Sequence, residues 1–198
     1  MKSLIIVIFS IINTTCLFAS FVNVPSNLKR AAQKIETFSE SRHLLKEIEK
    51  EGLIKLEFRP LGKGPFHACW IGEIRTILLN SSNSWTEGQI ISSILFELHN
   101  AKQDKAYDRL NTLALKRQIT KDQYVETIEH LEFDNSIMTK NLIDAGIKNG
   151  YYPKDANLLV YKNFEEHFYW QLKLGHSALM ARQYDDLVIE GLQTSHKT

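Results

Sequence analysis

Cysteine is scarce in this 198-residue chain, which has two in all, Cys16 and Cys69. Charge of one sign is missing as well, since 24 basic side chains against 23 acidic ones leave a formal net charge of +1. That balance argues against the basic excess with which nucleic-acid and membrane-surface proteins attract phosphate. The sequence contains no internal repeat and no low-complexity tract. No apolar run reaches the about 20 residues needed to cross a hydrocarbon core of ~30 Å.

What is present begins with Lys2, an apolar stretch from Leu4 to Ile12 cut off by Asn13-Thr14-Thr15, and the small residue Ala19 ahead of Ser20. This three-part order reads as a secretory signal peptide over residues 1–19, leaving one globular domain at 20–198 bound for the periplasm or the cell exterior. An uncleaved anchor and lipid attachment at Cys16 are the alternatives, and the residues before Cys16 lack the Leu and small side chain expected for the latter. Cleavage would leave no membrane span, 23 basic and 23 acidic side chains, and Cys69 alone, unable to form an internal disulfide. A hydrophobic content of 43% is enough for one well-buried core.

Along the mature part, residues 26–51 are helical in pattern, divided near Phe38-Ser39 and stopped by Gly52. Residues 53–59 alternate, with Ile54, Leu56 and Phe58 on the apolar face. After the turn Gly62-Lys63-Gly64-Pro65, residues 66–71 and 75–79 read as two more strands joined at Gly72-Glu73. Thr86-x-x-Gln89 and Thr120-x-x-Gln123 both have the form of a capping box. The first opens a helix to about Gln103 that can run on to Lys116, and the second a helix reaching Lys148 before Gly150. Helices over 164–174 and 177–189 follow, separated by Gly175-His176. The expected fold is α+β and helix-dominated, with a small antiparallel sheet of about three strands packed with four to six helices.

On the helix from Thr86, a turn of ~100° per residue gathers Ile90, Ile91, Ile94, Leu95, Leu98 and Ala101 on a core face. Gln89, Ser93, Phe96, Asn100 and Gln103 gather opposite, with Glu97 at the border. The run Ile94-Leu95-Phe96-Glu97-Leu98-His99-Asn100-Ala101-Lys102-Gln103 resembles the active-site helix of the zincin-like metallopeptidase domains of bacterial secreted toxins and effectors, L-x-H-E-L-x-H-A-x-Q. In that family two histidines one turn apart grip zinc, and the glutamate after the first activates a water. Glu97, Leu98, Ala101 and Gln103 match, whereas Phe96 and Asn100 stand at the two zinc positions and His99 points about 100° away from the second.

The resemblance spans roughly residues 74–145 and implies a substrate-lining edge strand, which it would place at 75–79. It also implies a third zinc ligand on a later helix, for which Glu132 is the nearest counterpart and Glu129 and His130 are alternatives. Phe has no donor atom and Asn is a poor zinc ligand. The reading is therefore an exported, non-catalytic binding protein without metal or cofactor, its partner an unidentified protein or envelope component. The alternative is a hydrolase using a carboxylate pair or an atypical metal site with Glu97 as the catalytic residue. A third reading takes Glu97 and Glu132 as structural acids at a helix contact. Cys69 reads as a small buried residue, with a His67–Cys69 nucleophile pair as the minor alternative. His167 and His176 read as surface or capping residues, and the aromatic stretch from Phe164 to Trp170 as helix core or a partner patch.

Overall fold

The structure is a computed structural model that describes residues 20–61 and 67–195. The segment read as a signal peptide, and the turn at 62–65 with Phe66, lie outside the described residues. Strand β1 (Phe21–Val22) comes first, held where Glu36 accepts the backbone N–H groups of Ser20 and Phe21. Helices α1 (Lys29–Thr37) and α2 (Ser39–Glu49) follow, broken at Phe38, whose extended backbone (ψ 128°) cannot continue a helix. Strands β2 (Ile54–Arg59), β3 (Ala68–Ile71) and β4 (Thr76–Asn80) complete the sheet.

The sheet order is β1-β2-β4-β3, with β1 parallel to β2, β2 parallel to β4, and β3 antiparallel to β4. The expected three-stranded antiparallel sheet is thus corrected to a four-stranded mixed one. Alternation in a sequence reports which side chains face the core, and it carries no information about partner or direction. Here a short 3₁₀ turn over Gly72–Ile74, closed by Arg75 in the left-handed region (φ 49°), folds β3 back on β4. The other side of β4 is thereby left to β2. All five residues of β4 are buried, so the 75–79 segment is an interior strand and β3 holds the edge.

Helix α3 (Glu87–Lys102) packs against this sheet, and helix α4 (Asp104–Leu115) leaves it at Gln103. Helix α5 (Lys121–Lys148) has 28 residues, a length of about 42 Å at 1.5 Å per residue. Helices α6 (Phe164–Leu174) and α7 (His176–Ser195) close the chain. Seven α-helices therefore stand among the described residues where four to six were expected, because α3 and α4 serve different cores and the chain turns between them. Both capping boxes form, with Thr86 and Gln89, and Thr120 and Gln123, satisfying backbone N–H groups reciprocally. Each cap contributes about 1 kcal/mol.

Two apolar clusters result. The larger joins the sheet, α1, α2, α3 and the C-terminal half of α5 through Ile35, Leu45, Ile54, Ile77, Ile94 and Ile143. The smaller joins α4 to the first half of α5 through Leu110, Ala114, Tyr124, Val125 and Ile128, with Phe168 of α6 and Met180 of α7 packed on it. Long α5 belongs to both. No described helix is long and apolar enough to cross a membrane.

Gly88 lies where α3 meets the 3₁₀ turn Lys154–Ala156, and a Cβ there would sit 2.3 Å from the backbone nitrogen of Ala156. Alanine would gain about 1 kcal/mol in helix propensity. Overpacking against backbone that cannot swing aside costs about 1–3 kcal/mol. Gly88→Ala is expected to lower the melting temperature, measured by circular dichroism, despite its better helix propensity.

Candidate functional site

A cavity of about 890 Å³ opens between β3, α3, α4, α5 and the α6–α7 pair, where the two apolar clusters meet. Its size falls within the range of small-ligand sites. Phe96, Glu97 and Asn100 of α3 line it together with Glu132 of α5, so the two acids singled out in the sequence share one cleft. The core face expected for α3 is the buried one, and the polar face looks into this cleft.

Each acid has its own hydrogen-bond donor. Asn100 Nδ2 donates to Glu97 Oε2 at 3.0 Å, and Asn135 Nδ2 donates to Asn100 Oδ1 at 2.7 Å. Tyr107 of α4 donates its hydroxyl to Glu132 Oε1 at 3.1 Å. Burial, followed by the charge of Glu132, pushes the Glu97 carboxyl up to about 8. Burial also raises the Glu132 carboxyl, and it holds the Tyr107 phenol, next to Glu132, far above its ordinary value. At neutral pH Glu97 is therefore mostly a neutral acid, able to donate a proton or a hydrogen bond and poorly suited to accept one.

The zinc positions do not fit zinc. Phe96 brings no donor atom, and Asn100 spends both ends of its amide on Glu97 and Asn135. No group of three or more His, Cys, Asp or Glu side chains arranged to hold a metal ion occurs among the described residues. His99 is buried on the other side, its Nδ1 3.0 Å from the Leu95 carbonyl and 2.9 Å from the Thr139 hydroxyl, and desolvation lowers its pKa.

Glu129 and His130, the alternative ligands, go elsewhere. Glu129 is fully buried and holds the last two helices, accepting from His167 Nε2 at 3.3 Å, His176 Nδ1 at 2.9 Å and Ser177 Oγ at 2.7 Å. Burial alone would raise its carboxyl, but those hydrogen bonds and the charge of His176 bring it down to about 2. His130 is exposed and stacks on the Phe164 ring. His167 and His176, expected at the surface, are instead drawn inward by this buried carboxylate, and both also reach the cavity wall. On α6, Phe168 packs inward, while Tyr169, Trp170 and Leu172 are exposed.

Cys69 lines the cleft, and its thiol is pushed up by burial and then by Glu97, so it remains protonated. His67, the base imagined for Cys69, has its Nδ1 2.7 Å from Asn83 Nδ2. Sequence reasoning missed Tyr107 and the pair formed by Trp70 Nε1, which donates to Asp104 Oδ1 at 3.1 Å. The only trace of Tyr107 in the sequence is its place two turns beyond Asn100, and the bend at Gln103 disguises that spacing. No family model, curated protein or solved structure matches this chain.

The pKa shifts set the pH dependence of stability. Glu129 has a depressed folded value, so its contribution is present above the ordinary carboxyl range and is lost as pH falls from about 4.5 toward 2. Glu97 has a raised one, so the folded state binds the extra proton and stability falls as pH rises from about 4.5 to 8. His176 is raised by its hydrogen bond to Glu129 against the opposing effect of burial, and its contribution is lost as pH rises through that elevated value. Thermal denaturation should show a stability maximum between an acid limb set by Glu129 and His99 and an alkaline limb set by Glu97 and His176. Glu97→Gln should flatten the alkaline limb, raising the melting temperature more at pH 8 than at pH 5.

Proposed function

We propose that this chain is an exported binding protein with a zincin-like scaffold, whose peptidase-shaped cleft takes a ligand and does not cleave it. Export is the reading of residues 1–19, and the ligand would come from a protein or envelope component. The observation that carries the proposal is the state of the two zinc positions. A donorless Phe96 and an Asn100 already engaged by Glu97 and Asn135 leave no pair of ligands, yet the cleft beside them remains at about 890 Å³. The strand along that cleft is β3 and not the 75–79 segment to which the resemblance assigned the substrate-lining edge, so the sheet lends this reading no support.

A carboxylate-pair hydrolase is the second reading, favoured by the Glu97 carboxyl standing near 8 next to Glu132. Against it, burial raises Glu132 as well, so the two environments shift both carboxyls in the same direction instead of setting an acid apart from a base.

Metal analysis of the purified protein should find zinc well below one equivalent, and a labelled casein should remain uncut. One equivalent of zinc, lost on Glu97→Ala or Glu132→Ala, would sink the proposal. Turnover abolished by Glu97→Gln without loss of stability would transfer the case to the hydrolase. A fragment screen followed by NMR should shift the Trp70 indole signal, which reports on the cleft, and a silent Trp70 throughout would count against any binding role.

A further inference from the structure

We infer that the ligand carries a guanidinium group that seats between Glu97 and Glu132, an inference that rests on the binding-protein reading above. Five carboxyl groups line the cleft, from Glu73, Glu97, Asp104, Asp108 and Glu132, and no lysine or arginine is found among its described lining residues. Over the whole chain the two signs nearly cancel, 24 against 23. Within this cleft the balance is broken, so an entering cation meets carboxyl groups, and histidines are the only basic side chains among the described lining residues.

The groups facing the acid pair come from every surrounding element. Cys69 and Trp70 come from β3, Asp104 and Tyr107 from α4, His167 from α6 and His176 from α7. His176 is the nearest cationic group and is hydrogen-bonded to Glu129 at 2.9 Å, behind the pair. Its charge does not bring Glu97 back to an ordinary value. Glu97 is bonded by Asn100 and Glu132 by Tyr107, and a cation seated between the two helices would favour their ionised forms with no lysine or arginine of the lining to compete.

The walls select among cations. Phe96 and Tyr161 give the cleft flat aromatic surfaces, and the Arg75 guanidinium already lies 5.6 Å over the Trp70 ring beside them. A guanidinium is planar, weakly hydrated and stacks on aromatic faces while its fork of N–H groups bonds carboxylates. An ammonium is compact and strongly hydrated, and a hard metal ion would find neither stacking nor enough oxygen ligands. The chemistry is the same for an arginine side chain in a peptide and for a free guanidinium compound. When the cation enters, it favours the ionised carboxyls over the protonated ones, so binding at neutral pH releases protons.

Isothermal titration at pH 7 would test this, using acetyl-Ala-Arg-Ala-amide, its uncharged citrulline counterpart, methylguanidinium and calcium chloride as probes, in buffers of different ionisation enthalpy. The arginine peptide should bind at least about tenfold more tightly than the citrulline peptide, with proton release and weakening by salt. Glu97→Gln and Glu132→Gln should each remove most of that preference while leaving the citrulline peptide unaffected. Methylguanidinium matching the peptide would assign a free compound, and a much weaker response would assign a peptide-borne arginine. Equal binding of the two peptides overturns the guanidinium assignment and leaves the binding cleft standing. Stoichiometric calcium binding with the guanidinium probes inert overturns it as well, as does silence from every probe, and the binding reading is then decided separately by the Trp70 screen. Should either variant fail to fold, the arginine–citrulline difference and the proton count on the unaltered protein still decide.

Discussion

A carboxyl group buried on a helix packed nearly all round, without lysine or arginine beside it, is the constraint on which the rest of the site depends. Glu97 sits on α3, whose other faces are committed to the sheet, to α1 and α2, and to α5. Desolvation of such a group is costly, and the chain meets it in the least expensive way available, by leaving the proton on. The neighbouring amides follow from that state. Asn100 approaches Glu97 with its N–H₂ end, Asn135 satisfies the other end of Asn100, and Tyr107 does the same for Glu132.

Glu129, on α5 three residues before Glu132, shows the opposite solution to Glu97. It is as deeply buried, but two imidazoles and a hydroxyl converge on it, and it stays ionised. The difference between the two acids lies in partners and owes nothing to depth. It also divides their roles. Glu129 fixes α6 and α7 onto α5, so those helices form one wall of the cleft. Glu97 and Glu132 are left with their acidity unspent on the inside of that wall.

Helix α5 connects these parts. Its C-terminal half is built into the core under the sheet, and its N-terminal half carries α4, α6 and α7. The cleft lies at the seam, where neither cluster has enough apolar surface to close the gap. Binding sites commonly sit at such seams, because side chains from separately packed elements converge there without having to fill the space between them.

Much of this was readable from residues alone, for local reasons. The Thr86 and Thr120 capping boxes, the break at Phe38 and the stop at Gly150 depend on a few neighbouring residues, and they hold in the structure. The core face of α3 followed from helical periodicity, and the inward face of β2 from alternation. Strand partners did not follow, because pairing joins segments about 20 residues apart through hydrogen bonds that leave no mark on side-chain pattern. The histidines of α6 and α7 were misplaced for a similar reason. His167 and His176 look like surface residues on their own helices and are drawn inward only by a carboxylate 38 and 47 positions away. The sequence by itself determined the capped helix starts at Thr86 and Thr120, the break at Phe38, and which faces are apolar. Only the tertiary structure decided that Glu97 and Glu132 share a cleft while Glu129 does not, because proximity and desolvation are properties of packed elements and not of any one segment.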